Sequence, residues 1–194
     1  ADFINSSVVR YILTEELEDG HISWERTGGE DDDETLHIVE LTGTELTGGE
    51  HLYESLVQAP ELVDGASYTI AMTGKDLAGN KAKPIVIQDI LYDTTPPSLL
   101  AVAPEPGISV RDGEVIYTLN EDFSSAEIDW ILEEAEASDT RNVNITITDS
   151  ALIAGDHRLD DATFSDQLTD GGVFTIRLTG RDKAGNEATP SSIA

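Results

Sequence analysis

Two stretches of the chain decide its fold: SYTIAMTGKDLAGN at residues 67–80 and VFTIRLTGRDKAGN at residues 173–186. In each stretch, large apolar residues stand at every second position of the first half, and a D-x-A-G-N segment follows. Alternation with period two is typical of a β-strand that buries one face. Asparagine and glycine supply the positive φ that a tight turn requires. Each stretch therefore predicts a strand that runs into a hairpin.

The two stretches belong to one repeat with a period of 106 residues. The same offset relates further landmarks along the chain, and no insertion interrupts the match. These landmarks are Tyr11 and Tyr117, Trp24 and Trp130, His51 and His157, Asp64 and Asp170, and Pro84 and Pro190. A fixed period of this kind indicates tandem copies of one structural unit.

Short alternating runs and turn signals extend the prediction to the whole chain. Alternation recurs around Tyr11 and Trp24 and around their equivalents, and Asp-Gly pairs separate the runs. We predict an all-β protein made of two tandem immunoglobulin-like β-sandwich domains. The first domain covers residues 1–93, a proline-rich linker covers 94–97, and the second domain covers 98–194. The two prolines restrict the linker backbone, which predicts a short, stiff joint.

The frame of the repeat predicts that both ends of the sequence fall within a copy. Ala1 matches Gly107, and Ala194 matches Gln88. The first copy therefore has no partner for the segment TTPPSLLAVAPEP, and its first strand is expected to be missing or truncated. We expect the chain to be part of a longer array, in which flanking sequence supplies the missing strands unless they were trimmed.

The charge of the chain argues against two classes of partner. Its 194 residues include 39 acidic and 11 basic side chains, which give a formal net charge of −28. Nucleic acids require clustered Lys and Arg, and anionic membrane surfaces attract basic segments, so we expect neither as a partner. No apolar run approaches the roughly 18 residues of a membrane span, so no membrane insertion is expected. Cysteine is absent, which removes disulfides, thiolate metal sites and cysteine nucleophiles.

Several motifs together resemble the bacterial immunoglobulin-like tandem repeats of large surface proteins and adhesins. The motifs are a tryptophan on an early strand, the segments LVDGASYTI and LTDGGVFTI, the D-x-A-G-N hairpin and the DTTPP linker. The resemblance implies that Tyr11 lies on strand B, Trp24 on strand C, Tyr68 on strand F and residues 84–92 on strand G. It also implies a tyrosine corner, in which the Tyr68 hydroxyl bonds to backbone upstream. Phe174 stands there in the second copy and cannot form that bond.

We predict that the chain is not an enzyme. The motifs G-x-S-x-G, S-x-x-K and H-E-x-x-H are absent. The many acidic residues provide carboxylate pairs at any separation, so such pairs carry no information about glycoside hydrolysis. His51 and His157 are equivalent in the repeat, which favours structural packing at a turn or strand edge over metal ligation. The run EDDDE at residues 30–34 has only the weaker EASDT as its counterpart, and we interpret it as a solvated loop kept open by charge repulsion.

The leading candidate for a site is a calcium site where the two repeats join. In an immunoglobulin-like sandwich, the N-terminal entry, the B–C loop and the F–G loop share one end of the domain. That end of the second copy gathers oxygen atoms of the kind that calcium prefers. The candidate ligands are Asp93, Glu121, Asp122, Asp182 and Asn186. The alternative is that the aspartate and asparagine of each hairpin hydrogen-bond within their own turn, without metal.

Two functions follow from this combination of features. The first is a structural and adhesive repeat region of a large bacterial surface or secreted protein, acting as an extended stalk. Its partners would be neighbouring repeats and a surface ligand, either protein or glycan, and its location would be extracellular or at the cell surface. The alternative is an accessory glycan- or protein-binding module of a secreted enzyme. Tyr53 and Phe164, which lie outside the repeated aromatic pairs, are the candidates for that binding.

Overall fold

A computed structural model describes residues 2–51, 59–110, 113–134, 142–159 and 167–194. The chain divides into two compact units, Ala1–Thr94 and Thr95–Ala194. Within the described ranges, strands and two short 3₁₀ turns make up the regular structure, without an α-helix. In that part of the chain, accordingly, no helix has the length and apolar character needed to cross a membrane.

Within the described residues of the first unit, seven strands form two sheets. They are β1 (Asp2–Ile4), β2 (Tyr11–Leu13), β3 (Leu17–Gly29), β4 (Leu36–Glu40), β5 (Gly49–His51), β6 (Ala66–Asp76) and β7 (Ile85–Tyr92). The larger sheet has the order β1-β7-β6-β3-β4, and the smaller sheet pairs β2 with β5. β1 runs parallel to the end of β7, whereas the other pairs are antiparallel.

The described part of the second unit contains seven further strands. They are β8 (Leu99–Ala103), β9 (Val115–Leu119), β10 (Phe123–Glu134), β11 (Val143–Ile147), β12 (Gly155–Leu159), β13 (Val173–Asp182) and β14 (Ser191–Ile193). One sheet has the order β11-β10-β13-β14 and the other has the order β12-β9-β8. All pairs are antiparallel. A three-stranded and a four-stranded sheet in this order form an immunoglobulin-like sandwich.

The core of each unit lies between its two sheets. In the second unit, Val115 and Tyr117 of the smaller sheet pack in one cluster with Ile128 and Trp130 of the larger sheet. The alternating pattern explains this arrangement, because every second side chain of each strand points to the same face. Burial of each such large apolar side chain contributes about 1.5–3 kcal/mol.

The structure confirms the all-β fold class and the two tandem sandwiches. Tyr11 lies on β2, Trp24 on β3 and Tyr68 on β6, as the resemblance implied for strands B, C and F. The strand predicted at residues 84–92 is β7, which begins one residue later. The hairpin after β6 is closed by Asp76, whose N–H donates to the Asn80 carbonyl at 3.0 Å. The stiffness of the linker at residues 94–97 stays a prediction.

Two 3₁₀ turns, Gly43–Leu46 and Asp149–Leu152, were not predicted from the sequence, although they occupy equivalent positions of the repeat. Each begins at a residue with positive φ, 52° at Gly43 and 54° at Asp149. Aspartate tolerates this region better than most residues with a side chain. Each turn presents a carbonyl to a core tyrosine: Tyr11 donates to Glu45 and Tyr117 donates to Ala151, both at 3.0 Å.

Candidate functional site

The hairpin that follows β13 holds two of the predicted calcium ligands, Asp182 and Asn186. One carboxylate oxygen of Asp182 accepts the N–H groups of Gly185 at 2.6 Å and Asn186 at 2.8 Å. The other accepts the side-chain amide of Asn186 at 2.8 Å. Asp182 is only 1% exposed. The aspartate thus closes its own turn by three hydrogen bonds.

The equivalent hairpin of the first unit is closed by similar contacts around a less buried aspartate. Asp76 accepts the N–H groups of Ala78 at 2.9 Å and Asn80 at 2.8 Å, and its second oxygen accepts the Asn80 side-chain amide at 2.8 Å. The bonds from Asn80 lower the pKa of the Asp76 carboxyl. The alternative considered for the repeated D-x-A-G-N motif, hydrogen bonding within the turn, is therefore present in both copies.

Glu121 and Asp122 lie in the connection between β9 and β10. A carboxylate oxygen of Glu121 lies within 4.8 Å of one on Asp182. Asp122 is directed to other partners, because its two oxygens accept the Ala154 N–H at 3.0 Å and the Lys183 ammonium at 2.7 Å. The Lys183 ammonium lowers the pKa of Asp122. The second unit therefore brings Glu121, Asp182 and Asn186 together and pairs Asp122 with a lysine.

Asp93, the remaining predicted ligand, belongs to the first unit. It follows β7 directly, and its N–H donates to the Ile4 carbonyl at 2.9 Å. Calcium binding by these five residues stays a prediction.

The two repeated histidines pack against core tyrosines at the edge of the smaller sheet. The His51 ring stacks on Tyr11 with 4.6 Å between ring centroids, and its Nε2 lies 2.9 Å from the Thr47 carbonyl. His157 stacks on Tyr117 at 5.2 Å, and its Nε2 is hydrogen-bonded to a carbonyl oxygen of the neighbouring 3₁₀ turn region. Both histidines thus have the predicted structural role at a turn and a strand edge.

The first unit contains a polar cluster that the sequence did not predict, formed by Asp32, Glu34, His37 and Tyr68. The Asp32 side chain is only 5% exposed. One of its oxygens accepts the Tyr68 hydroxyl at 2.6 Å and lies 2.7 Å from Nε2 of His37. Its other oxygen accepts the Glu34 N–H at 3.0 Å. The interpretation of residues 30–34 as a solvated loop is therefore wrong for Asp32, because its carboxylate is anchored to strands β4 and β6.

Burial and hydrogen bonding shift the pKa values of Asp32 and Tyr68. Burial raises the pKa of Asp32, but the hydrogen bonds from Tyr68 and His37 outweigh burial and bring it to about 2. Burial and the bond to Asp32 raise the pKa of Tyr68 to about 12. The Val63 N–H donates to the Tyr68 hydroxyl at 3.0 Å. This bond to upstream backbone is the tyrosine corner that the resemblance implied.

His37 bridges two carboxylates beside an open cavity. Its Nδ1 lies 3.3 Å from a carboxylate oxygen of Glu34, on the side of the ring opposite the contact with Asp32. The cavity measures about 360 Å³, and Pro60 and Glu61 contribute to its lining. The second copy has Ser138, Val143 and Phe174 at the positions of the aspartate, histidine and tyrosine; Ser138 lies outside the described residues.

The comparisons with known proteins identify structural neighbours and no family. No family model matches the sequence, and no curated protein matches it. The FN1–FN3 domains of chicken CNTN1 align with a TM-score of 0.40 and 13% identity, over 91% of this chain and 55% of that chain. A tetra-tandem repeat in the extending region of a large adhesion protein aligns with a TM-score of 0.38 and 17% identity, over 92% and 42% respectively. The chain thus spans about half the length of these neighbours.

The chemistry of the polar cluster is that of a structural anchor. A catalytic nucleophile needs a base to accept its proton or a lowered pKa. The Tyr68 hydroxyl donates to the Asp32 carboxylate, but a pKa of about 2 makes that carboxylate a weak base, and the pKa of Tyr68 is raised to about 12. Both His37 and Tyr68 converge on the same oxygen of Asp32 rather than on a free position where a substrate atom would sit.

Tyr53 and Phe164, the candidates for ligand binding, lie outside the described residues.

Proposed function

We propose that the chain is a segment of an array of β-sandwich repeats that forms the extended stalk of an adhesive protein, at the cell surface or secreted. One observation carries the proposal: the tyrosine–histidine and aspartate–asparagine pairs that recur at equivalent positions of both copies make their contacts within the fold. The tyrosine–histidine stacks support the 3₁₀ turns, and the aspartate–asparagine pairs close the hairpins. Both copies keep the contacts that support their fold. This is expected of a spacer, in which each repeat serves to lengthen the stalk.

The net charge supports this role. A charge of −28 over 194 residues makes parallel arrays repel one another, which disfavours lateral association between stalks. The repulsion acts on association and solubility rather than on the fold itself.

Small-angle X-ray scattering of the two-repeat chain tests the stalk proposal. A compact chain of this length would have a radius of gyration of about 16 Å. The proposal predicts a radius of gyration of at least about 20 Å. It also predicts that a third repeat increases the maximum dimension by as much as the second repeat does. A value near that of the compact chain, or a third repeat that adds no length, would refute the stalk.

We also propose that calcium binds at the acidic end of the second copy and stiffens the array. The support is the proximity of Glu121 to Asp182 within the second unit. Asp93 and Asn186 are the further proposed ligands. Asp122 would have to leave Lys183 to join them.

Thermal unfolding with calcium and with chelator tests the metal proposal separately. An ion present at 100 times its dissociation constant stabilises the native state by about 2.7 kcal/mol. For a unit of about 100 residues this raises the midpoint by about 10 °C or more. Glu121→Gln should abolish the shift, whereas Glu15→Gln, its equivalent in the first copy, should preserve it. An unchanged midpoint at millimolar calcium would remove the metal proposal and leave the stalk proposal standing.

A further inference from the structure

The second unit carries an open groove of about 630 Å³ on its larger sheet. Ile108, Val110 and Val173 border the groove and are 54%, 43% and 55% exposed. Trp130 and Phe174 contribute to its lining. Apolar side chains that line a groove and remain this exposed indicate a surface that binds another segment.

The first unit shows what fills the equivalent space. There, β7 continues past the residues that match β14 and reaches Tyr92. Its last part pairs antiparallel with β6, with Tyr68 opposite Ile90 and Ser67 opposite Leu91. On its other side, β1 pairs with the same residues in parallel. Ile90 is 4% exposed and belongs to the core of that unit.

The residues that hold the end of β7 in the first unit correspond one for one to residues of the groove. Asp2, Phe3 and Ile4 pair with residues 90–92, and they match Ile108, Ser109 and Val110 of the groove. Ser67 and Tyr68 match Val173 and Phe174, and Gly65, whose N–H donates to the Tyr92 carbonyl at 2.8 Å, matches Gly171. The positions that hold the strand in the first unit, here called the strand seat, thus have equivalents at the groove.

A second anchor lies at the far end of this seat. In the first unit, Asp64 accepts both the N–H and the hydroxyl of Thr94, at 2.5 and 2.9 Å. Asp170 is the equivalent of Asp64 and lines the groove. A strand bound in the groove would thus bring a threonine to the Asp170 carboxylate, which would accept its hydrogen bonds.

We propose that this groove is a strand-acceptor site, which binds an extended segment with the chemistry of residues 89–94, DILYDT. The segment would lie antiparallel to β13 and parallel to residues 108–110, with its isoleucine and tyrosine directed inward. The segment is carried by the same chain after β14. The reason is that one continuous strand of the first unit, β7, contains both the residues that match β14 and Ile90. This inference holds whether or not the array serves as a stalk.

The test appends the sequence DILYDTT of residues 89–95 to Ala194, which continues the frame of the repeat. Hydrogen exchange on the full chain should slow about tenfold or more at the amides of Val110 and Gly171. The equivalent amides in the first unit, Ile4 and Gly65, should be unchanged. A matched control extension carries aspartate in place of its isoleucine and tyrosine and should leave exchange as in the parent chain.

Two outcomes would overturn the proposal. Equal exchange in the parent chain and in the chain with the native extension would show that the groove does not accept this strand. A parent chain that is dimeric by light scattering, with slow exchange at the same amides, would show that a second copy fills the groove. The extension would then act by dissociating the dimer, and the assignment to the same chain would be wrong.

Discussion

Tyr68→Phe is expected to destabilise the first unit by about 2 kcal/mol and to leave the second unit unchanged. The hydroxyl donates to Asp32 at 2.6 Å and accepts the Val63 N–H at 3.0 Å. A hydrogen bond to a charged group contributes about 1.5–3 kcal/mol. The same bond helps to lower the pKa of Asp32 from 3.8 to about 2 against the opposing effect of burial.

The two tryptophans, one in each unit, allow both units to be followed in one sample. Urea unfolding monitored by the indole proton NMR signals of Trp24 and Trp130 gives a separate midpoint for each unit. With a slope of about 1–3 kcal/mol per molar urea, the Trp24 midpoint should fall by about 0.7–2 M. The Trp130 midpoint should stay where it is. Tyr11→Phe, which removes one bond to a neutral carbonyl, is the control and should cost about 1 kcal/mol.

The second copy supplies a stricter test of the same reasoning. Replacing Asp32, His37 and Tyr68 together by the residues of the second copy, serine, valine and phenylalanine, removes the carboxylate along with its donors. The triple change should cost at least about 1 kcal/mol less than the sum of the three single changes, because no unpaired buried charge is left behind. A Tyr68→Phe cost below about 0.5 kcal/mol, an equal shift of both midpoints, or strict additivity would each refute the idea that Asp32 is held as a buried, hydrogen-bonded charge.

Three further predictions concern other residues. Because the folded pKa of Asp32 is lowered, its contribution is present above about pH 4 and lost as pH falls toward about 2; acid titration of the first unit should show this loss, and Asp32→Asn should flatten it. Gly29→Ala should cost more than about 2 kcal/mol, since φ is +72° and the new Cβ would lie 2.2 Å from a backbone oxygen. Gly28→Ala, whose Cβ meets nothing within 4 Å, is its control in the same urea assay and should stay within about 0.5 kcal/mol. Asp182→Ala should cost about 3 kcal/mol because it strips three hydrogen bonds from a buried turn, whereas Asp76→Ala, at an exposed turn, should lower its own unit's urea midpoint less.

The sequence predicted the parts of the fold that depend on local pattern. Period-two alternation placed Tyr68, Ile70 and Met72 on one strand, and these residues lie on β6. The D-x-A-G-N motif predicted the hairpin because its hydrogen bonds connect residues only four apart, as between Asp76 and Asn80. The 106-residue period then carried each assignment to the other copy. Local chemistry sufficed wherever the contact itself is local.

The polar cluster could not be predicted in this way because its contacts are distant in sequence. Asp32 and Tyr68 are 36 positions apart, and only the pairing of β3 with β6 brings them together. A signal was nevertheless present, since Tyr68 and His37 are both polar in the first copy and both replaced by apolar residues in the second. Two replacements in the same direction at distant positions indicate a shared contact. Among the predicted calcium ligands, Asp122 likewise has a partner that is distant in sequence, Lys183.

The polar cluster also distinguishes two copies that are otherwise alike, and this affects how the array folds. Neighbouring domains of similar sequence are prone to exchange strands during folding. If the segment that carries Asp32 paired with β13 of the second copy in place of β6, its carboxylate would face Phe174, which has no hydroxyl to donate. A buried carboxylate that loses a donor costs several kcal/mol, whereas the correct pairing satisfies it. Only the mispaired form is destabilised in this way. A cluster that adds little net stability over an apolar core therefore still favours pairing with β6 over pairing with β13.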